Sequence, residues 1–427
     1  MALKKSSKKK VVKKIKKLTK KKITKKVMKP KVVRRSVKKV NKPKKILKVK
    51  KTKKSKKIAK TIKRLAKKVL IKKKTLKSKS KKKVLKKVKQ KEVKLERAWH
   101  NPIISPRAYP WESKATFNPA AFLHDDKVYI MYRAIGEDDM SVLGYAVSND
   151  GKRINERPTH FAYRRYMAVS DFAVPIFYDS GGGWAGGCED PRLTLIGDTL
   201  YLLYTAFDGW GSVRIAMANI KLDDFKNKKW NKWSKPVLIS PPGEIHKNWV
   251  LFPEKIKGKY AILHSITPDV LVDYVDDLDS FDGNKFIKSN HGGGAFGEDS
   301  WDNWVRGVGP TPIKTSLGWL VLYHAMDKND PNRYKLGALI LDSKNPEKIL
   351  YKSKAPILEP DLHYENEGHK WGVIYSCGAV VKDGELFVYY GGADKVTCVA
   401  TIELKELLND LKKNKVVKLK KGKEVKL

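Results

Sequence analysis

Five segments of the chain share one arrangement of apolar and polar positions. In each, an aromatic-rich run is followed by a short polar turn and a second run of small and β-branched residues. The five runs begin at Lys127, Thr199, Lys259, Gly318 and Glu385. In the first, Val128 and Ile130 alternate with Tyr129 and Met131, so both faces of the run are apolar. Such alternation predicts strands buried on both faces, and its recurrence predicts a repeat architecture.

Another short element precedes each run, and in four of the five it carries proline. The prolines occur in Asn118-Pro119, Asp190-Pro191, Phe252-Pro253 and Gly309-Pro310, and the fifth element has Cys377-Gly378 instead. Each repeat therefore predicts three strands, with enough chain left for a fourth. Five such sheets around an axis predict an all-β fold, a five-bladed β-propeller. The alternatives are a β-sandwich, which does not predict five copies of one motif, and a solenoid, whose repeats are usually shorter and more uniform.

In a propeller, the loops leading into the innermost strands surround the mouth of a central funnel. One residue from each blade is expected there: Asn118, Asp190, Glu254, Arg306 and Cys377. Since a ring of loops can bring several side chains onto one small ligand, the function is expected at this funnel.

The charge of the chain is unevenly distributed. Of 93 Lys and Arg residues, 46 fall in residues 1–90, which contain no acidic residue, no aromatic residue and no glycine. Such a composition cannot bury enough apolar surface to offset the entropy of ordering. We therefore predict a Lys-rich disordered tail over 1–95, a propeller domain over 96–405 and a short basic C-terminal helix or tail over 406–427.

Three roles fit the N-terminal tail: a solvated polycation for solubility or retention, non-specific binding of nucleic acid or another polyanion through residues 1–90, or binding to an anionic membrane surface. No apolar run is long enough for a transmembrane segment, and no secretory signal is recognisable. Three cysteines without a CxxC pair suit a reducing compartment, so a cytoplasmic location is expected.

The sequence GGCEDPR contains the candidate catalytic carboxylates, Glu189 and Asp190. Adjacent strand residues project to opposite faces, so we expect one in the funnel and the other paired locally, with Arg192 as its partner. Cationic and polar side chains at comparable positions in other blades indicate an anion site: Arg133, Lys247, Arg306, His324 and Tyr334. No phosphate-binding glycine loop, zinc motif or GxSxG motif occurs, so no metal site or cofactor is predicted.

Tryptophans in predicted loops indicate sugar binding, because the C–H faces of sugars stack on aromatic rings. These are Trp184, Trp210, Trp249, Trp301 and Trp304. The alternative is that about half of them belong to the propeller core.

Six ordered segments, GGCEDPR, KNWVLFPEKI, RGVGPTPIKTSLGWLVLYHAM, YKLGALILD, PILEP and YSCGAVVKDGELFVYYGGAD, resemble glycoside hydrolase family 130 over roughly residues 100–405. The resemblance implies a five-bladed propeller that cleaves terminal β-mannosidic bonds with inversion. The favoured activity is that of a phosphorylase, a glycosyltransferase-type reaction that releases mannose 1-phosphate. Phosphate would be the co-substrate and a β-mannoside oligosaccharide the substrate.

The resemblance also implies roles for individual residues. Asp190 matches the general acid, which protonates the mannosyl 3-hydroxyl as a relay to the glycosidic oxygen. Asn118, Arg133 and Asp394 match sugar-binding positions, and Glu189 lies beside the acid as a further substrate-binding residue. Phosphate-binding positions match Lys247, Arg306, His324 and Tyr334.

One departure keeps a second activity open. Ser265 occupies a position where many family members have a phosphate-binding arginine. An inverting hydrolase would instead need a second carboxylate to activate water, and Glu254, Asp269 and Asp302 are candidates. The third alternative is a non-catalytic sugar-binding propeller tethered to nucleic acid by the basic tail.

Overall fold

The computed structural model describes residues 93–164, 186–207, 213–289 and 294–416. Most of the predicted N-terminal tail, Trp184, Trp210 and residues 417–427 lie outside the described residues. Two residues ahead of the first strand also contact the domain: Leu95 is 4% exposed, and Lys94 pairs with Glu359.

Within these ranges the strands form the five blades of a β-propeller. The first strand, β1 (Glu96–Arg97), belongs to the last blade. Blade 1 contains β2 (Ala115–His124), β3 (Lys127–Ile135) and β4 (Met140–Ser148). Blade 2 contains β5 (Gly186–Ile196), β6 (Thr199–Phe207), β7 (Val213–Lys221) and β8 (Val237–Leu238). Blade 3 contains β9 (Val250–Leu251), β10 (Tyr260–Ser265) and β11 (Leu271–Val275).

The two remaining blades follow the same antiparallel order. Blade 4 contains β12 (Trp304–Val308), β13 (Ile313–Thr315), β14 (Gly318–Asp327), β15 (Asp330–Leu341) and β16 (Ile349–Lys352). Blade 5 contains β17 (Ile374–Lys382), β18 (Glu385–Gly392), β19 (Val396–Glu403) and β1. The short helices of the described chain are α1 (Leu222–Lys226), α2 (His363–Asn366) and α3 (Leu404–Lys412).

The predicted alternation places successive side chains in different interfaces between blades. In β3, Val128 and Ile130 pack between blades 5 and 1, whereas Tyr129 and Met131 pack between blades 1 and 2. Trp319 of β14 packs between blades 3 and 4. Because each second strand is buried on both sides, the core consists of apolar layers between neighbouring blades.

The ring is closed by strands from both ends of the domain. β1 pairs antiparallel with β19, with Glu96 opposite Thr401 and Arg97 opposite Ala400. The innermost strand β2 packs against both β17 and β5. The N-terminal strand of the domain thus becomes the outer strand of its last blade.

Candidate active site

The innermost strands of four blades are interrupted by β-bulges. The register shifts occur around Asn118 in β2, Asp190 in β5, Arg306 in β12 and Cys377 in β17. Asn118 and Asp190 have φ of 47° and 51°, a left-handed conformation that Asn and Asp adopt more readily than most residues. The prolines that follow them have no N–H to contribute to the strand ladder, which suits a bulge. Bulges redirect side chains, and Asn118 Nδ2 donates to Asp190 Oδ1 at 2.8 Å.

Arg133, in β3, joins both candidate carboxylates. It is 1% exposed, and its guanidinium donates to Glu189 Oε1 at 2.8 Å, Asp190 Oδ1 at 3.3 Å and Ser141 Oγ at 3.0 Å. Its guanidinium carbon also lies 4.8 Å from the ring centre of Phe117. The expectation that the two carboxylates face opposite ways is therefore wrong. The bulge at Asp190 breaks the alternation of the strand and turns both toward one cation.

The carboxyl group of Asp190 is buried but remains ionised at neutral pH. Burial raises its pKa, but the charges of Arg133 and Lys247 and the hydrogen bond from Asn118 outweigh that effect and hold the pKa below the usual value. Lys247 Nζ also lies 3.5 Å from Glu189 Oε2. The two adjacent carboxylates are thus stabilised by two cations from neighbouring blades.

Asp394 is a further buried acid in the same field of charge. It lies in the turn between β18 and β19, with φ of 52°, and is 9% exposed. Burial raises the pKa of its carboxyl to about 6, although Lys370 and Arg133 limit the rise. Asp394 in turn helps to raise the pKa of Arg133 against the effect of burial.

Arg192 and Asn248 connect the innermost strands of neighbouring blades next to these acids. Arg192 donates to the backbone carbonyl of Asp190 at 2.7 Å and to Asn248 Oδ1 at 2.8 Å, so it is not the local partner that was expected for a carboxylate. Asn248 Nδ2 donates to the backbone carbonyl of Arg306 at 2.7 Å, and the hydroxyl of Tyr375 donates to Asn248 Oδ1. These contacts join residues of blades 2, 3, 4 and 5.

In blade 3, the residue comparable to Asn118 and Asp190 is Asn248 rather than Glu254. Asn248 has φ of 67°, like the bulged residues of blades 1 and 2. Gly307 leaves room for it, because a Cβ there would lie 2.7 Å from Asn248 Nδ2. Glu254 follows β9 and pairs with Lys314 of β13, with 46% of its side chain exposed. The expectation that Glu254 lines the funnel with the others is wrong.

Arg306 lies at the bulge of β12 and is held among aromatic rings. Its Nε donates to the hydroxyl of Tyr334 at 3.0 Å, and its guanidinium carbon lies 4.8 Å from the ring centre of Trp304. Lys370 Nζ lies 4.9 Å from the ring centre of Tyr334. Lys370 therefore links this cation to the surroundings of Asp394.

His324 is a neutral hydrogen-bond donor. Its ring stacks on Tyr375, with centroids 4.1 Å apart, and its Nε2 accepts from the backbone N–H of Ser376 at 2.9 Å. Burial, reinforced by the charge of Arg192, lowers the pKa of His324 to about 3. Since Nε2 is an acceptor in the neutral ring, the proton is on Nδ1. Within the described chain, Nδ1 is buried and has no hydrogen-bond partner.

The carboxylates considered for water activation have other partners or lie at the surface. Asp302 is buried in blade 4, where it accepts from the hydroxyl of Tyr323 at 2.7 Å and from Lys352 Nζ at 2.5 Å. Asp269 is exposed, and Glu254 pairs with Lys314 as described.

The predicted site residues fall into two neighbouring groups. The acid group is Asn118, Arg133, Glu189, Asp190, Lys247 and Asp394. The anion group is Arg306, Tyr334 and His324. Sequence reasoning missed Asn248, Tyr375 and Lys370, which connect or adjoin the two groups. The sequence did contain a signal for Asn248. This residue lies just ahead of the innermost strand of blade 3, close to the positions that Asn118 and Asp190 occupy in blades 1 and 2.

Two features of the described ranges concern metal ions and membranes. No group of three or more His, Cys, Asp or Glu side chains in these ranges could hold a metal ion. In the same part of the chain, no helix is long and apolar enough to cross a membrane.

Comparisons with known proteins extend over most of the chain. A family model described as beta-1,4-mannooligosaccharide phosphorylase matches residues 99–413. A 1,2-beta-oligomannan phosphorylase and a beta-1,2-mannobiose phosphorylase, both from Thermoanaerobacter sp. (strain X514), are 37% and 34% identical. They cover 74% and 73% of this chain and 99% and 97% of their own lengths. The beta-1,2-mannobiose phosphorylase of Listeria innocua, solved with beta-1,2-mannobiose, has the same fold at a TM-score of 0.58 and 24% identity. It covers 75% of this chain and 99% of its own.

Proposed function

The chain belongs to glycoside hydrolase family 130, and from that premise we propose that it cleaves terminal β-mannosidic bonds by phosphorolysis with inversion. Inversion at a β-linked anomeric carbon gives α-mannose 1-phosphate. We propose a β-1,2 linkage in the substrate, because both Thermoanaerobacter relatives bear names that specify this linkage.

The observation that carries the proposal is a pair of unsatisfied polar atoms, one in each group of the site. In the described residues, Asn118 Oδ1 is a buried acceptor without a donor, and His324 Nδ1 is a buried donor without an acceptor. Buried polar atoms without partners are rare in folded proteins. A sugar hydroxyl satisfies the first atom and a phosphate oxygen satisfies the second.

The anion group suits phosphate because it combines positive charge with a neutral donor. Arg306 supplies a guanidinium whose orientation is fixed by Tyr334, and Lys247 supplies an ammonium from the neighbouring blade. His324 does not titrate near neutrality, so its N–H is available to phosphate throughout the physiological range.

Phosphate binding also supports proton donation by Asp190. Before phosphate binds, Lys247 and Arg133 hold its pKa low, and an ionised carboxylate cannot donate a proton. A phosphate dianion beside Lys247 offsets this positive field, so the pKa of Asp190 rises in the complex. A phosphate oxygen then bonds to the anomeric carbon as the glycosidic C–O bond breaks. The proton passes from Asp190 through the mannosyl 3-hydroxyl to the leaving oxygen.

Hydrolysis is the second candidate function, suggested by Ser265, whose hydroxyl donates to the Thr267 carbonyl at 2.9 Å. A hydrolase needs a carboxylate that activates water across the ring from the acid. The partners of Glu254 and Asp302 and the surface position of Asp269 favour phosphorolysis over hydrolysis.

The test is turnover of β-1,2-mannobiose with and without inorganic phosphate. We expect α-mannose 1-phosphate, identified by the anomeric coupling in its NMR spectrum, in phosphate buffer only. Free mannose at an equal rate in phosphate-free buffer would identify a hydrolase instead. Asp190→Asn should lose turnover while still binding mannobiose in calorimetry. Binding by the wild type without turnover in either buffer would indicate a sugar-binding module.

We propose further that residues 1–90 bind polyanions through their 46 Lys and Arg side chains. Binding that rests on phosphate contacts weakens steeply with salt, because bound counterions are released. The full chain should therefore bind duplex DNA in a salt-sensitive manner, and deletion of residues 1–90 should abolish this binding. DNA binding that survives the deletion would refute the assignment.

A cytoplasmic location is proposed from the cysteines. Cys188, Cys377 and Cys398 are buried and unpaired, and burial raises the pKa of Cys377 to about 12. Unpaired cysteines suit a reducing compartment. Fractionation of the source cells should recover the protein with cytoplasmic markers, and recovery with secreted proteins would contradict this.

A further inference from the structure

Trp371 is an exposed aromatic residue that none of the interactions described so far involves. It is 71% exposed, whereas the indoles of Trp249 and Trp319 are buried in the core. Among the described residues, large hydrophobic side chains with such exposure are few, and the other tryptophan among them is Trp99, at 84%. Exposing a ring of this size costs free energy in water unless a ligand covers it.

The loop that carries Trp371 connects α2 to β17 and is tightly held. The backbone N–H of Lys370 donates to the carbonyl of Ala393 at 3.1 Å, and Val373 N–H donates to the carbonyl of Glu365 at 3.1 Å. The carboxylate of Glu365 is fully buried and accepts two hydrogen bonds from Arg97, at 2.7 and 2.9 Å. The indole is therefore presented by a fixed backbone.

The same loop borders the active site on both sides of Trp371. Lys370 Nζ lies over the ring of Tyr334, and its charge lowers the pKa of Asp394, as described above. The carbonyl of Gly372 accepts from the backbone N–H of Tyr334 at 2.8 Å. Gly372 has φ of 70°, and a Cβ there would lie 2.5 Å from the carbonyl oxygen of Asn332. The two chain neighbours of Trp371 therefore interact with residues of the site: Lys370 with Tyr334 and Asp394, and Gly372 with Tyr334.

We propose that Trp371 is a stacking platform for a sugar residue beyond the disaccharide unit that is cleaved. This inference rests on the proposed function for the identity of its ligand, a β-linked mannooligosaccharide of three or more residues. An indole face can cover the C–H face of one pyranose, and its continuity with the site favours the next sugar of the same chain over a separate partner. The platform makes the enzyme selective for oligomannosides over mannobiose.

The test compares β-1,2-mannotriose with β-1,2-mannobiose in the full chain. Covering one indole face with a pyranose corresponds to roughly a ten-fold change in affinity. Trp371→Ala should therefore raise KM for the trisaccharide about ten-fold, with kcat and the constants for the disaccharide unchanged. Trp371→Phe should recover part of the loss.

Trp99→Ala is the matched control, because Trp99 is also largely exposed but lies beside β1. Its ring contacts His100 and Arg153, and Arg153 follows β4 at the end remote from the bulges. This variant should leave both substrates unaffected. An equal change for both substrates in Trp371→Ala, no change for either, or the same change in Trp99→Ala would overturn the proposal.

A binding measurement separates failure of this inference from failure of the proposed function. In the Asp190→Asn background, calorimetry measures mannotriose binding with and without Trp371→Ala. If the wild type turns over no mannoside, the proposed reaction fails. Weaker trisaccharide binding in the double variant still supports the platform. Equal binding in the two variants, or no binding in either, overturns it.

Discussion

Replacement of Arg133 by methionine tests whether the paired carboxylates depend on a single buried cation. Arg133 donates to both Glu189 and Asp190, and all three side chains are almost fully buried. Methionine has a similar length and keeps most of the packing, but it removes the cation that contacts both carboxylates. Lys247, the charge of Arg192 and the hydrogen bond from Asn118 remain. Removing one partner of a buried ion pair costs about 3–5 kcal/mol in the free energy of unfolding. At roughly 2–4 °C per kcal/mol, Tm should fall by at least about 6 °C.

The pH dependence of this loss distinguishes charge from packing. In the wild type the folded-state pKa of Asp190 is lowered. Its ionisation therefore stabilises the fold above the unfolded pKa of about 3.9, and this stabilisation is lost as the pH falls through the folded pKa. In Arg133→Met, Asp190 lies beside Glu189 without the cation that both contact. The folded-state pKa of Asp190 therefore rises, and ionisation of Asp190 destabilises the fold. The difference in Tm between wild type and variant should therefore widen from pH 4 to pH 7.

Differential scanning fluorimetry across that pH range provides the measurement. Arg164→Met is the control, because Arg164 and its partner Asp138 are both about half exposed and 3.4 Å apart, and such surface pairs contribute little. The control should show no widening. A difference in Tm for Arg133→Met that is constant from pH 4 to pH 7 would show that Arg133 acts through packing and would refute the electrostatic argument.

Three further predictions concern catalysis. His324→Ala should raise KM for phosphate roughly 10- to 100-fold, because a hydrogen bond to a charged ligand is lost. The KM for mannobiose should change little. Initial rates measured at varied phosphate and at varied mannobiose give the two KM values separately. Because burial raises the pKa of Asp394 to about 6, mannobiose affinity should fall as the pH drops through 6, and Asp394→Asn should remove this dependence in calorimetry. Lys370 lowers the pKa of Asp394, so Lys370→Met should move the same transition to higher pH; an unchanged midpoint would contradict the assigned interaction.

The fold could be predicted from the sequence because alternation and recurrence are local signals. The apolar residues at both phases of β3 indicated a strand between two layers, and five copies of that pattern indicated five blades. The repeat also indicated that Asn118 and Asp190 lie at the funnel, because both precede proline at comparable positions. Their roles in sugar binding and proton donation came from the family resemblance. Family resemblance added the assignment of reaction type, which alternation does not contain.

What failed to follow from the sequence depends on backbone conformation and distant contacts. A bulge changes which way Glu189 and Asp190 point, and strict alternation misplaces them. Blade 3 lacks proline at its left-handed residue, so Phe252-Pro253 drew attention to Glu254 and away from Asn248. Lys370 reaches Asp394 and Tyr334 only after blades 4 and 5 come together, and no spacing in the chain indicates that.

The pairing of β1 with β19 has a consequence for biosynthesis. The two strands are about 300 residues apart in the chain, so this contact has one of the largest sequence separations in the domain. During translation β1 leaves the ribosome before the other strands of the propeller. It stays unpaired until β19, in the last blade, has been synthesised. Loop closure over such a distance is slow. The Arg97 contacts that hold the Trp371 loop form in the same step, so a nascent chain gains its complete active-site border only when synthesis of the propeller ends.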